Sequence, residues 1–216
     1  MSNTNSVLDP KSKNDTEEYF ERSLRPNSFG EMVGRKVEKK NLRVMIESSK
    51  KRKKALDHIL FHGPPGLGKT TFAYVIAKEL KVPLHMTNGS VIDKIGDLAA
   101  ILTSLEEYSV LFIDEIHRLR INIEEILYSA MEDRALDIII GKGPNAKTLR
   151  IDLPEFTIIG ATTKMSMLSS PLRDRFGMSF RLDFYSESEL KELVFQKAKM
   201  LGVYIDDAAA VEIAKR

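Results

Sequence analysis

Eight residues constrain this chain more than any others. Gly63-Pro64-Pro65-Gly66-Leu67-Gly68-Lys69-Thr70 fits the spacing G-x-x-x-x-G-K-[ST], and it lies between a short apolar run, Ile59-Leu60-Phe61, and a stretch of helical periodicity. Glycines at 63, 66 and 68 let successive backbone N–H groups turn inward, forming a concavity that suits a polyphosphate. Lys69 supplies a point charge there. A helix starting at about Gly68, with Phe72, Val75, Ile76 and Leu80 at helical spacing, adds its N-terminal dipole at the same place. Thr70 would set its hydroxyl on a magnesium ion bridging the outer phosphates of ATP.

The rest of the chain supplies a frame for that loop. Pro83 to Thr87 reads as a second strand, and Asp93 to Glu107 as a helix carrying Leu98, Ile101, Leu102 and Leu105. Alternation of strands and helices implies a parallel sheet covered on both faces. The next strand, Val110-Leu111-Phe112-Ile113, runs directly into Asp114-Glu115. Ligands of open parallel sheets sit at the carboxyl ends of the strands, so Asp114 is placed to reach the metal through water. Glu115 is then placed to orient and deprotonate the attacking water. A further core strand, Phe156 to Gly160, ends in Ala161-Thr162-Thr163, whose hydroxyls would lie beside the two carboxylates. Phe180 to Phe184 completes five strands.

Between these lies a change of period. Leu136 to Ile140, turn residues at 141–145, and the alternation of Leu149, Ile151 and Leu153 with Thr148, Arg150 and Asp152 predict a β-hairpin, about 136–153, inserted in the α/β frame. Arg173 and Arg175, in a short turn-bounded segment, suit fork-like recognition of phosphate. Ser186-x-x-Glu189 forms a capping box for a helix stopped by Gly202, and Asp206 caps another.

Composition narrows the function classes. With 33 Lys+Arg against 31 Asp+Glu the chain has no basic sheath, and the run Lys50 to Lys54 reads as a solvated helix end. The absence of cysteine excludes disulfides and thiolate zinc sites. His58 and His62 flank a strand and read as surface residues rather than ligands. No apolar segment approaches the roughly 18 residues of a membrane span, and the polar N-terminus has no signal-peptide pattern, so the expected location is cytoplasmic. Residues 1–16 have too little apolar content to order and are expected to form a tail.

The motifs at 63–70, 111–117, 160–163 and 170–176 together resemble an AAA+ ATPase. More narrowly, Leu24-Arg25-Pro26, Leu56-Asp57-His58, Asp-Glu-Ile-His-Arg-Leu at 114–119, Met131-Glu132-Asp133 and the hairpin resemble the RuvB family of bacterial Holliday-junction branch-migration motors. The resemblance implies an AAA+ P-loop NTPase domain at 17–184 with a five-stranded parallel sheet, followed at 185–216 by the beginning of a small helical lid. It implies Leu24, Arg25 and Tyr185 beside the nucleotide, and Gly63, Gly66, Leu67, Gly68, Lys69, Thr70 and Thr71 on its phosphates. Thr163 would be the sensor residue, with Thr162 as the alternative, and Arg175 a finger into a neighbouring subunit. Glu132, Asp133 and Arg134 would border the shared site, and Leu149 and Ile151 would contact RuvA. The partners implied are a homo-hexameric ring, RuvA, double-stranded DNA at Holliday junctions through a C-terminal domain beyond residue 216, and RuvC. A clamp-loader-like ATPase shares the arginine motif but not the hairpin, and a nucleotide-binding remnant that docks RuvA without motor activity is the third reading.

Overall fold

In the computed structural model the described residues are 24–140 and 147–216, so the expected tail at 1–16 and the hairpin turn at 141–145 lie outside them. Two units divide the chain, Gly34–Phe184 and a second one joining the residues up to Val33 with Tyr185–Arg216.

The larger unit is built on five parallel strands: β1 (Ile59–His62), β2 (Leu84–Asn88), β3 (Val110–Asp114), β6 (Thr157–Thr162) and β7 (Met178–Arg181). Their order is β2-β3-β6-β1-β7. The central strands have no polar alternation, because helices cover both faces and every side chain must be apolar or paired. Ile59, Leu60, Phe61, Val110, Leu111 and Ile113 are accordingly fully buried. The helix α1 (Lys36–Arg52) precedes β1, and between strands run α2 (Lys69–Leu80), α3 (Ile95–Thr103), α4 (Ile121–Asp133) and the single turn α5 (Ser170–Asp174). Lys50, Lys51 and Arg52 form the last turn of α1 rather than following it, so the basic run meets the carbonyl end of that helix. Phe61 stacks between Phe72 of α2 and Phe180 of β7, with centroids at 4.9 and 5.5 Å. This binds the helix behind the glycine-rich loop to the strand before it.

The inserted hairpin is present as β4 (Ala135–Ile140) and β5 (Lys147–Asp152), antiparallel, with Leu136 opposite Ile151 and Ile138 opposite Leu149. Residues on one face of such a pair share an environment only along part of its length. Ile138 and Ile151 pack against the core of the unit, whereas Leu149, directly opposite Ile138, is 46% exposed.

In the second unit Ser186 and Glu189 form the expected capping box of α6 (Glu187–Met200), and Asp206 caps α7 (Asp207–Ala214). Residues 24–33, expected in the large domain, instead bond to α6. Lys197 Nζ donates to the Leu24 carbonyl and Gln196 Nε2 to that of Glu31, at 2.7 Å for the latter.

His58 corrects the surface reading given above. It is buried, alternating inward with Leu56 about an outward Asp57. Its Nδ1 accepts the Ile158 N–H at 2.8 Å, extending the β1–β6 ladder with a side chain. Burial, with the Arg134 charge as a second cause, lowers its pKa from 6.5 to about 3. The unfolded chain therefore binds a proton that the folded chain refuses throughout that interval, and stability falls on acidification below pH 6.5. Between pH 7 and 5.5 the loss from this residue is about 1 kcal/mol. Urea midpoints measured at the two pH values should show it, and His58→Gln should remove that part of the slope.

Candidate nucleotide site

The glycine-rich loop is bolted to both strands beside β1. Gly63 N–H donates to the Thr162 carbonyl at 3.2 Å, and Leu182 N–H donates to the His62 carbonyl at 2.8 Å. Gly63 has φ 143°, and a Cβ placed there would lie 2.3 Å from the Leu182 oxygen, so no other residue fits. Gly68, at φ 90°, is the N-cap of α2, and Lys69, Thr70 and Thr71 form its first turn. The unpaired N–H groups of that turn face the loop's concavity.

Lys69 is 7% exposed, and its ammonium donates to the Gly63 and Pro64 carbonyls at 2.9 and 2.7 Å. Burial lowers its pKa, and the Asp114 and Glu115 charges act in the opposite direction. The lysine and the two carboxylates thus share one electrostatic neighbourhood, which the sequence placed 45 residues apart. Arg35, buried at the N-cap of α1, brings a second cation to the loop, its Nη2 lying 3.5 Å from the Leu67 carbonyl. Sequence reasoning gave Arg35 no role, since nothing in its neighbours signals a contact 32 residues away.

At the end of β3 the backbone turns sharply. Glu115 has φ 46° and ψ 43°, a left-handed conformation that costs a non-glycine residue about 1 kcal/mol or more. It caps the 3-10 turn Ile116–Arg118, and Asp114 Oδ1 accepts its N–H at 2.9 Å. Gly89, just past β2, donates its N–H to the Asp114 carbonyl at 2.8 Å. Any Cβ on Gly89 would lie 2.5 Å from the Glu115 carbonyl oxygen. Thr163 Oγ1 donates to Glu115 Oε2 at 3.3 Å, while Thr162, fully buried, faces His117 at 2.9 Å.

Arg175 lies elsewhere. It follows α5, and Gly177 two residues on packs against Asp57, before β1, whereas the glycine-rich loop leaves the far end of that strand. A four-residue strand separates the two by about 13 Å along its axis. The Arg175 guanidinium pairs with Glu132 at the end of α4. Both side chains are substantially exposed, so the pair contributes about 0–1 kcal/mol and is easily surrendered. Asp133 is exposed beside it. Arg134 is turned inward: Nη1 donates to the Phe156 carbonyl at 2.7 Å and the guanidinium lies 4.7 Å from the Phe156 ring centroid. Its contacts are those of a structural pin at the base of the hairpin. Leu24, Arg25 and Tyr185 belong to the other unit, where all three are half-buried.

No cluster of three or more His, Asp or Glu able to hold a metal occurs among the described residues. A phosphate-bridged magnesium ion needs only one or two protein oxygens, and the Thr70 hydroxyl and Asp114 carboxylate are residues of the right chemistry.

A strand, a glycine-rich turn and a helix N-terminus around a buried lysine, with acidic residues at the next strand end but one, define a P-loop nucleotide-binding domain. Residues 24–182 match the family model described as the Holliday junction DNA helicase RuvB P-loop domain. The chain belongs to the RuvB family. The RuvB subunit of the Holliday junction branch migration complex from Sulfurimonas denitrificans is 60% identical over 202 residues, covering 94% of this chain and 60% of that protein. Its counterpart from Fusobacterium nucleatum is 57% identical over 197 residues, covering 91% and 59%. Among solved structures, the RuvB Holliday junction branch migration motor of Thermotoga maritima is similar with a TM-score of 0.80 at 51% identity, covering 90% of this chain and 60% of that one. The chain thus spans about 60% of the length of the relatives it matches.

Gly89 gives the site a direct test. Because backbone rather than a flexible side chain opposes the added methyl, Gly89→Ala should cost about 1–3 kcal/mol in urea denaturation. The amide resonances of Glu115 and Ile116 should shift with it.

Proposed function

We propose that the chain is an ATP-hydrolysing motor subunit that drives branch migration of Holliday junctions in recombination and repair; its relatives are named as a Holliday junction branch migration complex subunit and a Holliday junction branch migration motor. The observation that carries the reading is the shared neighbourhood of Lys69, Asp114 and Glu115 at the carboxyl edge of the sheet. ATP binds with its phosphates over the N–H groups from Gly66 to Thr71 and the Lys69 ammonium. Thr70 and Asp114 would hold a magnesium ion, which would supply charge neutralisation at the phosphates. Glu115 takes the proton of the attacking water, and Thr163 senses the terminal phosphate beside it.

Arg175 serves a neighbouring copy. Its place two residues before Gly177, which packs beside Asp57 at the amino end of β1 while the loop leaves the carboxyl end of that strand, supports this. Glu132 and Asp133 line the same shared site, and the Glu132 ion pair holds the arginine until the neighbour's phosphate replaces the carboxylate. A homo-hexameric ring around duplex DNA is the assembly that uses this arrangement. RuvA docks on the hairpin through exposed Leu149, with Ile151 supporting it from below, and RuvC joins the larger complex. Cytoplasmic residence fits a chain without cysteine and in which, among the described residues, no helix is long and apolar enough to cross a membrane.

Lys69→Ala should abolish binding of ATP with magnesium in calorimetry. Arg175→Ala should retain binding yet lose turnover by roughly 10^3-fold or more, the contribution of an arginine supplied in trans. Turnover per chain should rise with protein concentration. Equal specific activity at all concentrations would contradict the shared site.

A further inference from the structure

One buried polar side chain has no part in the chemistry set out above. His117 is 7% exposed and lies two residues beyond Glu115, in the 3-10 turn that follows β3. Both of its ring nitrogens are engaged. Nδ1 is 2.9 Å from Thr162 Oγ1, and Nε2 is 3.2 Å from Glu115 Oε2.

The Thr162 hydroxyl decides which nitrogen carries the proton. Its oxygen already accepts the Lys164 N–H at 2.9 Å, and a hydroxyl has one proton to give. Given to Nδ1, that proton leaves the ring N–H on Nε2, the nitrogen that lies 3.2 Å from Glu115 Oε2. The opposite tautomer would set a bare Nε2 lone pair against that carboxylate oxygen. Thr163 Oγ1 donates to the same oxygen, Oε2, at 3.3 Å. The imidazole and the threonine hydroxyl therefore both approach Glu115 at one oxygen.

We propose that His117 is a positioning residue for Glu115, its Nε2–H fixing the rotamer of the general base while Thr162 fixes the tautomer of the ring. This rests on the reading that Glu115 activates water. A glutamate has three rotatable bonds, and this one sits on a backbone turn already committed to an uncommon conformation; among the described residues Thr163 and His117 are the side chains that lie against its carboxylate, both at Oε2. Thr162 also accepts the first N–H of the glycine-rich loop through its carbonyl, so loop, threonine and imidazole form one hydrogen-bonded series that ends against the carboxylate.

The test compares three side chains at 117, with ATP and magnesium at the protein concentration where turnover per chain is maximal. His117→Phe should lower kcat about tenfold or more, while ATP affinity changes less than about twofold, since only the orientation of the reacting group is lost. His117→Gln, whose amide N–H reaches the place of Nε2, should recover most of that loss, and His117→Asn, which reaches only the place of Nδ1, should not. Independently of turnover, two-bond 1H–15N correlation of the imidazole should show the Nε2-protonated tautomer in the unmodified chain and its loss in Thr162→Val. Wild-type kcat in His117→Phe, no difference between Gln and Asn, or an Nδ1-protonated ring would each overturn the proposal. Glu115→Gln serves as the reference. If it hydrolyses ATP at the wild-type rate, the general-base reading itself fails, whereas its inactivity beside an active His117→Phe would overturn the positioning role alone.

Discussion

The site depends on how closely β7 passes the start of the glycine-rich loop. Where β1 ends, the chain must leave the sheet between two strands that are still hydrogen-bonded to it, and the gap admits only a residue without a Cβ. Gly63 meets that constraint, and its N–H and the preceding carbonyl tie the loop's first turn to β6 and β7. The loop is consequently rigid at its root and variable only at its crest. Backbone donors aimed at an anion are effective when no reorganisation is needed to aim them. The aromatic stack of Phe61, Phe72 and Phe180 serves the same end by fixing the helix whose first turn completes the cradle.

A second balance operates in the charges. Lys69 is withdrawn from water far enough that burial disfavours its charged form, and Asp114 and Glu115 oppose that effect. The carboxylates need the lysine as much as it needs them, because like charges at adjacent positions repel. The strained turn at Glu115 is maintained by its surroundings: Gly89 allows the neighbouring strand end to press against it, and the Asp114 side chain satisfies its N–H.

Much of this was legible in the chain because two kinds of signal survive in sequence. Continuous apolar runs such as Val110 to Ile113 mark strands buried on both faces, and the glycine spacing of 63 to 68 marks a backbone that must bend. What sequence hid was pairing between distant segments. His117 reads as one more residue of an acidic turn until Thr162 appears against it across the sheet. His58 reads as a surface residue because it flanks a strand, although alternation about Asp57 in an extended segment places it inside. Arg134, expected at a subunit boundary, has contacts the sequence did not signal, to a carbonyl and a ring of its own chain, both at Phe156. The hairpin's alternation identified one apolar face without showing that the core covers Ile138 and Ile151 and leaves Leu149 exposed.

The glycine-rich loop and Arg175 lie at opposite ends of one parallel sheet, which makes the molecule polar in the sense that a magnet is. An arginine that reaches a second copy must join the arginine end of one sheet to the loop end of another. A two-fold pair does this reciprocally when the two sheets lie antiparallel, whereas head-to-tail stacking does it once at each contact and either closes on itself or continues without end. In a head-to-tail arrangement the angle between successive copies, rather than any single contact, would separate a circle from a fibre.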